Sequence, residues 1–136
     1  QDVTDENQNT YKIMQLYLNT LYVLANTDKN IPFTEAIFKI KLLTLLGFAP
    51  RVEKCCICGE KEVTHFSLKD SGVKCTSCSR QDTGAIQISA STWQALRYIV
   101  LAPAKKLYSF EISEENQKQL EIIAKLYTND KLEKNY

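Results

Sequence analysis

The sequence predicts a mainly α domain: a small helical bundle interrupted by a four-cysteine, zinc-binding β-hairpin of the zinc-ribbon kind. Three observations carry this expectation. Apolar residues recur at the 3.6-residue period on both sides of the chain's middle. Five cysteines, Cys55, Cys56, Cys58, Cys75 and Cys78, are confined to one short window. Between them Thr64, Phe66 and Leu68 alternate with His65, Ser67 and Lys69 up to an Asp70-Ser71-Gly72 turn, the pattern of a hairpin with Val73-Lys74 as its return strand.

Taken in order, residues 1–9 are polar and acidic without periodicity and read as a flexible leader. Residues 10–136 then form a single helical domain with the zinc module inserted at about 51–82. From Thr10, Ile13, Leu16, Tyr17, Leu21 and Leu24 make a helical stripe, widened by Met14, Leu18, Tyr22 and Ala25. The turn formers Asn26 to Asn30 break it, and Asn30 can cap the next helix with Pro32 in its first turn. That helix ends near Leu46 with Gly47 as its C′ residue. Its two stripes, Phe33, Ile37, Ile40, Leu43 and Phe38, Leu42, Leu45, Leu46, are broad enough to touch several neighbours, so it belongs at the centre. Beyond the cysteines, Ser89 caps a helix with Trp93, Leu96, Val100 and Leu101 on one face, stopped by Pro103. Ser113 with Glu114 and Glu115 starts the last helix, whose stripe is Leu120, Ile123, Ala124 and Tyr127. It reaches about Thr128, and the charged final eight residues either continue it or fray.

A chain of 136 residues supplies one core, and 44% apolar with 24% charged residues excludes wholesale disorder. The formal net charge is +1, yet it is unevenly spread. Residues 1–38 carry two basic and five acidic groups (net −3), residues 39–106 eleven and five (net +6), and residues 107–136 four and six (net −2). An acidic partner must therefore meet the middle of the chain. The longest uncharged apolar run, Leu42 to Pro50, is far short of a membrane span, and no signal peptide opens the chain. Since it begins at Gln1 and its only methionine is Met14, it is expected to be an excised piece of a longer protein.

Cys55-x2-Cys58 and Cys75-x2-Cys78, sixteen residues apart, have four-thiolate zinc spacing. Two intervening residues let the backbone curl so that both sulfurs of a pair face one ion, and Gly59 suits that turn. Two disulfides are disfavoured in a reducing compartment, and a redox-active pair needs a strand-to-helix setting instead of a hairpin. Four thiolates leave no open position, so the expected single Zn2+ is structural. Cys56 lies too close to Cys58 to share its knuckle and reads as a spare thiol. His65 sits on the polar side of the strand and is not needed as a ligand. The window is poor in large apolar side chains, so the metal stands in for a core.

No catalytic constellation is visible, and the chain is not expected to be an enzyme. There are four glycines and no phosphate-cradling loop, and the lone histidine has no nucleophile near it. Lys54, Lys61, Lys69, Lys74 and Arg80 cluster around the cysteines and are the candidate phosphate contacts; Arg51, Lys105 and Lys106 are further cations, with an ordinary solvated face as the alternative.

The run Phe38-Lys39-Ile40-Lys41-Leu42-Leu43-Thr44-Leu45-Leu46-Gly47-Phe48-Ala49-Pro50, then Cys55, Cys58-Gly59, His65-Phe66-Ser67, Gly72, Cys75 and Cys78, resembles the RecO family of bacterial DNA-repair recombination mediators. The likeness covers nearly the whole chain from about Thr10. It implies a C-terminal helical domain with its zinc insertion, without the family's N-terminal OB-fold barrel. It further implies single- and double-stranded DNA binding, strand annealing, action with RecR, contact with the acidic tail of single-strand-binding protein, and help in loading RecA. By the same resemblance the setting is the bacterial cytoplasm, at the nucleoid. Lys39 departs from the family's usual glutamate, and the tail-docking residues find no match here. Some relatives lack the cysteines, in keeping with a structural metal. The other reading is a protein-docking module that binds an acidic peptide without touching DNA; a thiol redox switch is a third.

Overall fold

A computed structural model describes residues 2–134. The described elements are α1 (Asp2–Asn26), α2 (Ile31–Leu45), β1 (His65–Ser67), β2 (Gly72–Lys74), α3 (Thr76–Ser79), β3 (Ile86–Gln87), α4 (Ala90–Leu101) and α5 (Glu114–Lys134). A 3-10 turn at Ala104–Lys106 joins the last two. The mainly helical class with a small β insertion is the one the sequence predicts. No helix among the described residues is long and apolar enough to cross a membrane.

Helix α2 sits at the centre, packing on α1, α4 and α5. The Asn30 side chain accepts from Phe33 N at its start, Pro32 stands in the first turn, and Gly47 adopts φ +99° just beyond Leu46. Phe33, Ile37, Ile40 and Leu43 are buried, whereas Leu46 of the second stripe is exposed. Lys41 is an unforeseen member of this buried set. Its Nζ donates to Val100 O at 3.1 Å, at the carbonyl-rich end of α4, and burial lowers its pKa, with the Lys12 charge adding to the effect.

Two expectations for α1 need correction. The helix starts at Asp2, inside the stretch read as a leader; Gln1 lies outside the described residues. The expected stripe also straddles two sides of the helix, with its Leu16 buried but most of its other members turned outward. Leu16, Thr20 and Val23 face the core, and Thr20 Oγ1 meets the Tyr108 hydroxyl at 2.7 Å, while Tyr17, Leu21 and Leu24 are exposed. From Tyr11 onward α1 is apolar over most of its circumference, so periodicity alone cannot choose the buried face.

The last two long helices follow their caps. Ser89 accepts from Thr92 N at 3.1 Å and donates to Asn116 Oδ1 at 2.6 Å, so one hydroxyl both caps α4 and ties it to α5. Ser89→Ala is expected to cost about 1–2 kcal/mol in thermal unfolding, and Ser89→Asp, which keeps the cap acceptor but loses the donor, about half of that. Ile99 joins Leu96 in the core, while Leu101, expected on that face, is exposed. In α5 the stripe Leu120, Ile123, Ala124 and Tyr127 is buried as expected, and the helix continues to Lys134.

Candidate metal centre

The cysteine window folds as a small three-stranded antiparallel sheet in the order β2-β1-β3, with both knuckles at one end. Phe66 of β1 pairs with Val73 of β2 and with Ile86 of β3. The third strand is the element the sequence did not announce. The first knuckle is laid beside β2 by backbone bonds. Arg51 N donates to Ser71 O, Val73 N to Arg51 O and Cys56 N to Val73 O, each at 2.9 Å. Gly72 permits this approach, since a Cβ there would stand 2.9 Å from the Arg51 carbonyl oxygen.

Each pair then curls as its spacing requires. Gly59 N donates to Cys55 O at 3.0 Å, and Gly59 takes φ +83°, in the region glycine tolerates. In the second knuckle Cys75 precedes the single turn of α3, and Ser79 closes it with N and Oγ donating to Cys75 O at 3.0 and 2.8 Å. The sulfurs of Cys55, Cys58, Cys75 and Cys78 consequently all lie within 4.8 Å of one another. Cys58 and Cys75 Sγ are 3.7 Å apart. A tetrahedral ion with sulfur bonds of about 2.3 Å requires sulfur separations of about 3.8 Å, so the four thiols can hold a metal ion in that geometry.

The electrostatics point the same way. Burial works against the Cys55 thiolate, but backbone hydrogen bonds from Cys58, Cys75 and Ile57 outweigh it and hold the pKa down to about 6. Cys78 is pushed up to about 12, first by its hydrogen bond with Cys75, then by burial and its bonds with Cys58 and Cys55. Cys55 is thus inclined to ionise while Cys78 beside it resists. A dication removes that conflict and takes all four as thiolates. Cys56 stands apart from the cluster, half-buried; burial, then the charges of Asp70 and Cys55, raise its pKa and keep it a thiol. The His65 Nδ1 meets Thr64 Oγ1 at 2.7 Å.

The candidate cations divide. Lys54, Lys61, Lys69 and Arg80 are exposed. Lys74 must be withdrawn as a phosphate contact, because it is 4% exposed and held at 2.5 Å by Asp70 and 3.1 Å by Asp82. Asp82 also accepts from Ser67 Oγ at 2.5 Å and from Gly84 N at 3.1 Å. This buried network clasps the sheet to the loop after α3. Sequence reading missed it because a lysine eight residues before an aspartate carries no periodic signal.

Several contacts join the metal module, and the loop leading into it, to the bundle. The Phe66 ring packs edge-on against Tyr127 at 5.7 Å, the Tyr127 hydroxyl donates to Phe48 O at 2.6 Å, and Trp93 Nε1 donates to Val52 O at 2.7 Å.

Compared with known proteins, the chain matches the family model described as "Recombination protein O C terminal" over residues 1–136. A DNA repair protein RecO of Acetivibrio thermocellus is 39% identical over 137 residues, 99% of this chain and 55% of that protein. Those of Dehalococcoides mccartyi and Syntrophomonas wolfei are 33% and 32% identical, covering 90% and 80% of this chain and 49% and 45% of theirs. The chain spans about half the length of these curated relatives.

Proposed function

Because this chain belongs to the RecO family, we propose that it is the C-terminal binding part of a DNA repair and recombination protein, working without catalysis in the cytoplasm at the nucleoid. One structural Zn2+ on Cys55, Cys58, Cys75 and Cys78 fixes the module, and a sulfur-only tetrahedral donor set is the kind zinc favours. The observation that carries the reading is that Lys54, Lys61, Lys69 and Arg80 of this same module are all exposed. Metal-fixed cations of this kind hold the phosphates of single or double strands, as annealing, co-operation with RecR and delivery of RecA to coated strands require.

Reversing those four charges in the whole-length protein is expected to weaken strand binding at low salt. The slope of log affinity against log salt should fall by up to about 0.7–0.9 for each phosphate that is no longer neutralised. An unchanged affinity and slope would end this assignment.

A second reading is favoured by a separate observation. Between α4 and the segment from the 3-10 turn to Ile112 lies a mainly apolar cleft of about 770 Å³, lined by Tyr98, Phe110 and Ile112 with Arg97 and Lys106. The Arg97 Nε is buried without a hydrogen-bond partner. An acidic peptide with an apolar end, such as the tail of single-strand-binding protein, suits such a cleft. Arg97→Glu should remove binding of a labelled acidic peptide ending in an aromatic residue while leaving strand binding in place. Peptide binding that survives this substitution would discard the cleft.

A further inference from the structure

One lysine of the bundle is enclosed without a counter-charge. Lys41 of α2 is only 6% exposed, and lysine is almost never buried so far unless an anion pairs with it. Its ammonium has three N–H groups, and within the protein it makes one hydrogen bond, to Val100 O at 3.1 Å. Among the described residues no carboxylate pairs with it. Burial works against the ammonium, and so does the charge of Lys12 on α1. Capping the end of α4 accounts for one donor of Lys41, but it does not account for a second cation brought to the same place.

The two lysines line one pocket of about 420 Å³, together with Thr44, Val100, Leu101 and Pro103. A second pocket of about 380 Å³, lined by Arg51, Glu53, Lys54 and Cys56, shares Val100 and Leu101 with the first. The two therefore adjoin, and they form a groove that runs from the metal module across the end of α4 to α1. Four cations line it against a single carboxylate, Glu53, in a chain whose net charge is only +1. An isolated anion would need the first pocket alone, whereas a repeating anion uses both. A single nucleic-acid strand carries one charge per linkage and bends enough to lower a phosphate onto a buried ammonium. A duplex displays its phosphates on a stiff, convex surface. Leu101, which lines both pockets and is 61% exposed, offers a base an apolar seat between them.

We infer that this groove is a track for a single strand, in which Lys41 and Lys12 jointly hold one backbone phosphate while Arg51 and Lys54 take a neighbouring one. This rests on the strand-binding reading above, and it adds Lys12, Lys41 and Arg51 to the four cations of the metal module. The test is titration of a fluorescently labelled oligothymidine with the whole-length protein at several salt concentrations. Lys41→Met combined with Lys12→Gln should weaken binding about eightfold at about 50 mM salt and about threefold at about 200 mM, as the loss of one phosphate contact and of about 0.7 in slope dictates. Lys12 is exposed, so Lys12→Gln leaves the fold in place, and alone it should give about a threefold loss at the low-salt end.

Unchanged affinity and slope in both variants would overturn the inference. If reversing the four module charges still weakened binding, the functional reading would survive that result. A loss of affinity with the wild-type slope would overturn it too, since it would report altered shape in place of a lost phosphate contact. So would a loss confined to duplex DNA, or one seen only with a labelled acidic peptide.

Discussion

Stripping the metal with a chelator, or replacing Cys75 by alanine, is expected to unfold residues 51–87 while α1, α2, α4 and α5 keep most of their helical signal. Structural zinc in small modules contributes an apparent free energy on the order of 10 kcal/mol. A whole domain is stable by only about 5–15 kcal/mol, so no reserve within the module replaces the ion. Its own buried apolar side chains are few, chiefly Val52, Val63, Phe66 and Val73. The bundle by contrast buries many more, among them Leu16, Ile37, Ile40, Leu96 and Leu120. Far-UV circular dichroism should therefore change little, whereas near-UV signals from Trp93 and Tyr127, which lie on the seam, should change strongly. Cys56→Ser should keep one equivalent of zinc by elemental analysis. A full complement of folded module without metal would defeat the assignment.

Asp82→Ala is expected to cost about 3 kcal/mol in denaturant unfolding, in the range measured when one partner of a buried ion pair is removed. Lys74 keeps Asp70 but loses its most buried partner, and Ser67 loses its acceptor. Asp82→Asn, which preserves shape and one acceptor, should cost less. In a double-mutant cycle Lys74→Met should cost much less when Asp82 is already alanine. The pH dependence has a definite sign. The hydrogen bond from Ser67, which outweighs burial, and then the Lys74 charge and the Gly84 N–H depress the Asp82 carboxyl pKa. Its contribution is present above the unfolded carboxyl value of about 3.9 and is lost as pH falls through the lower folded value.

Much of this architecture was legible because it is local. The two Cys-x2-Cys pairs, Gly59, and the caps at Asn30, Ser89 and Ser113 act within a few residues, and they stand where their spacing puts them. The stripe of α5 was legible because most of that helix's remaining residues are polar, exposed Ile122, Leu126 and Leu132 aside. Three features were not. The buried side of α1 could not be chosen, because Leu16 and Val23 compete with six equally apolar neighbours. The strand Ile86–Gln87 is too short to show alternation. Lys41 and Lys74 count as surface residues by type, and only tertiary partners, Val100 O for one and two carboxylates for the other, bring them inside.

The seam at Tyr127 has one more consequence. Its ring lies on Phe66, its hydroxyl reaches the loop before the first knuckle, and the Lys131 ammonium sits over the same ring while bonding Ser71 at the hairpin tip. No pliant tether separates finger from body, so the two should tumble as one particle, with a single rotational correlation time in nuclear spin relaxation. A strand gripped at the finger would then ride at a fixed bearing to every other surface of the molecule, as on a rigid jig.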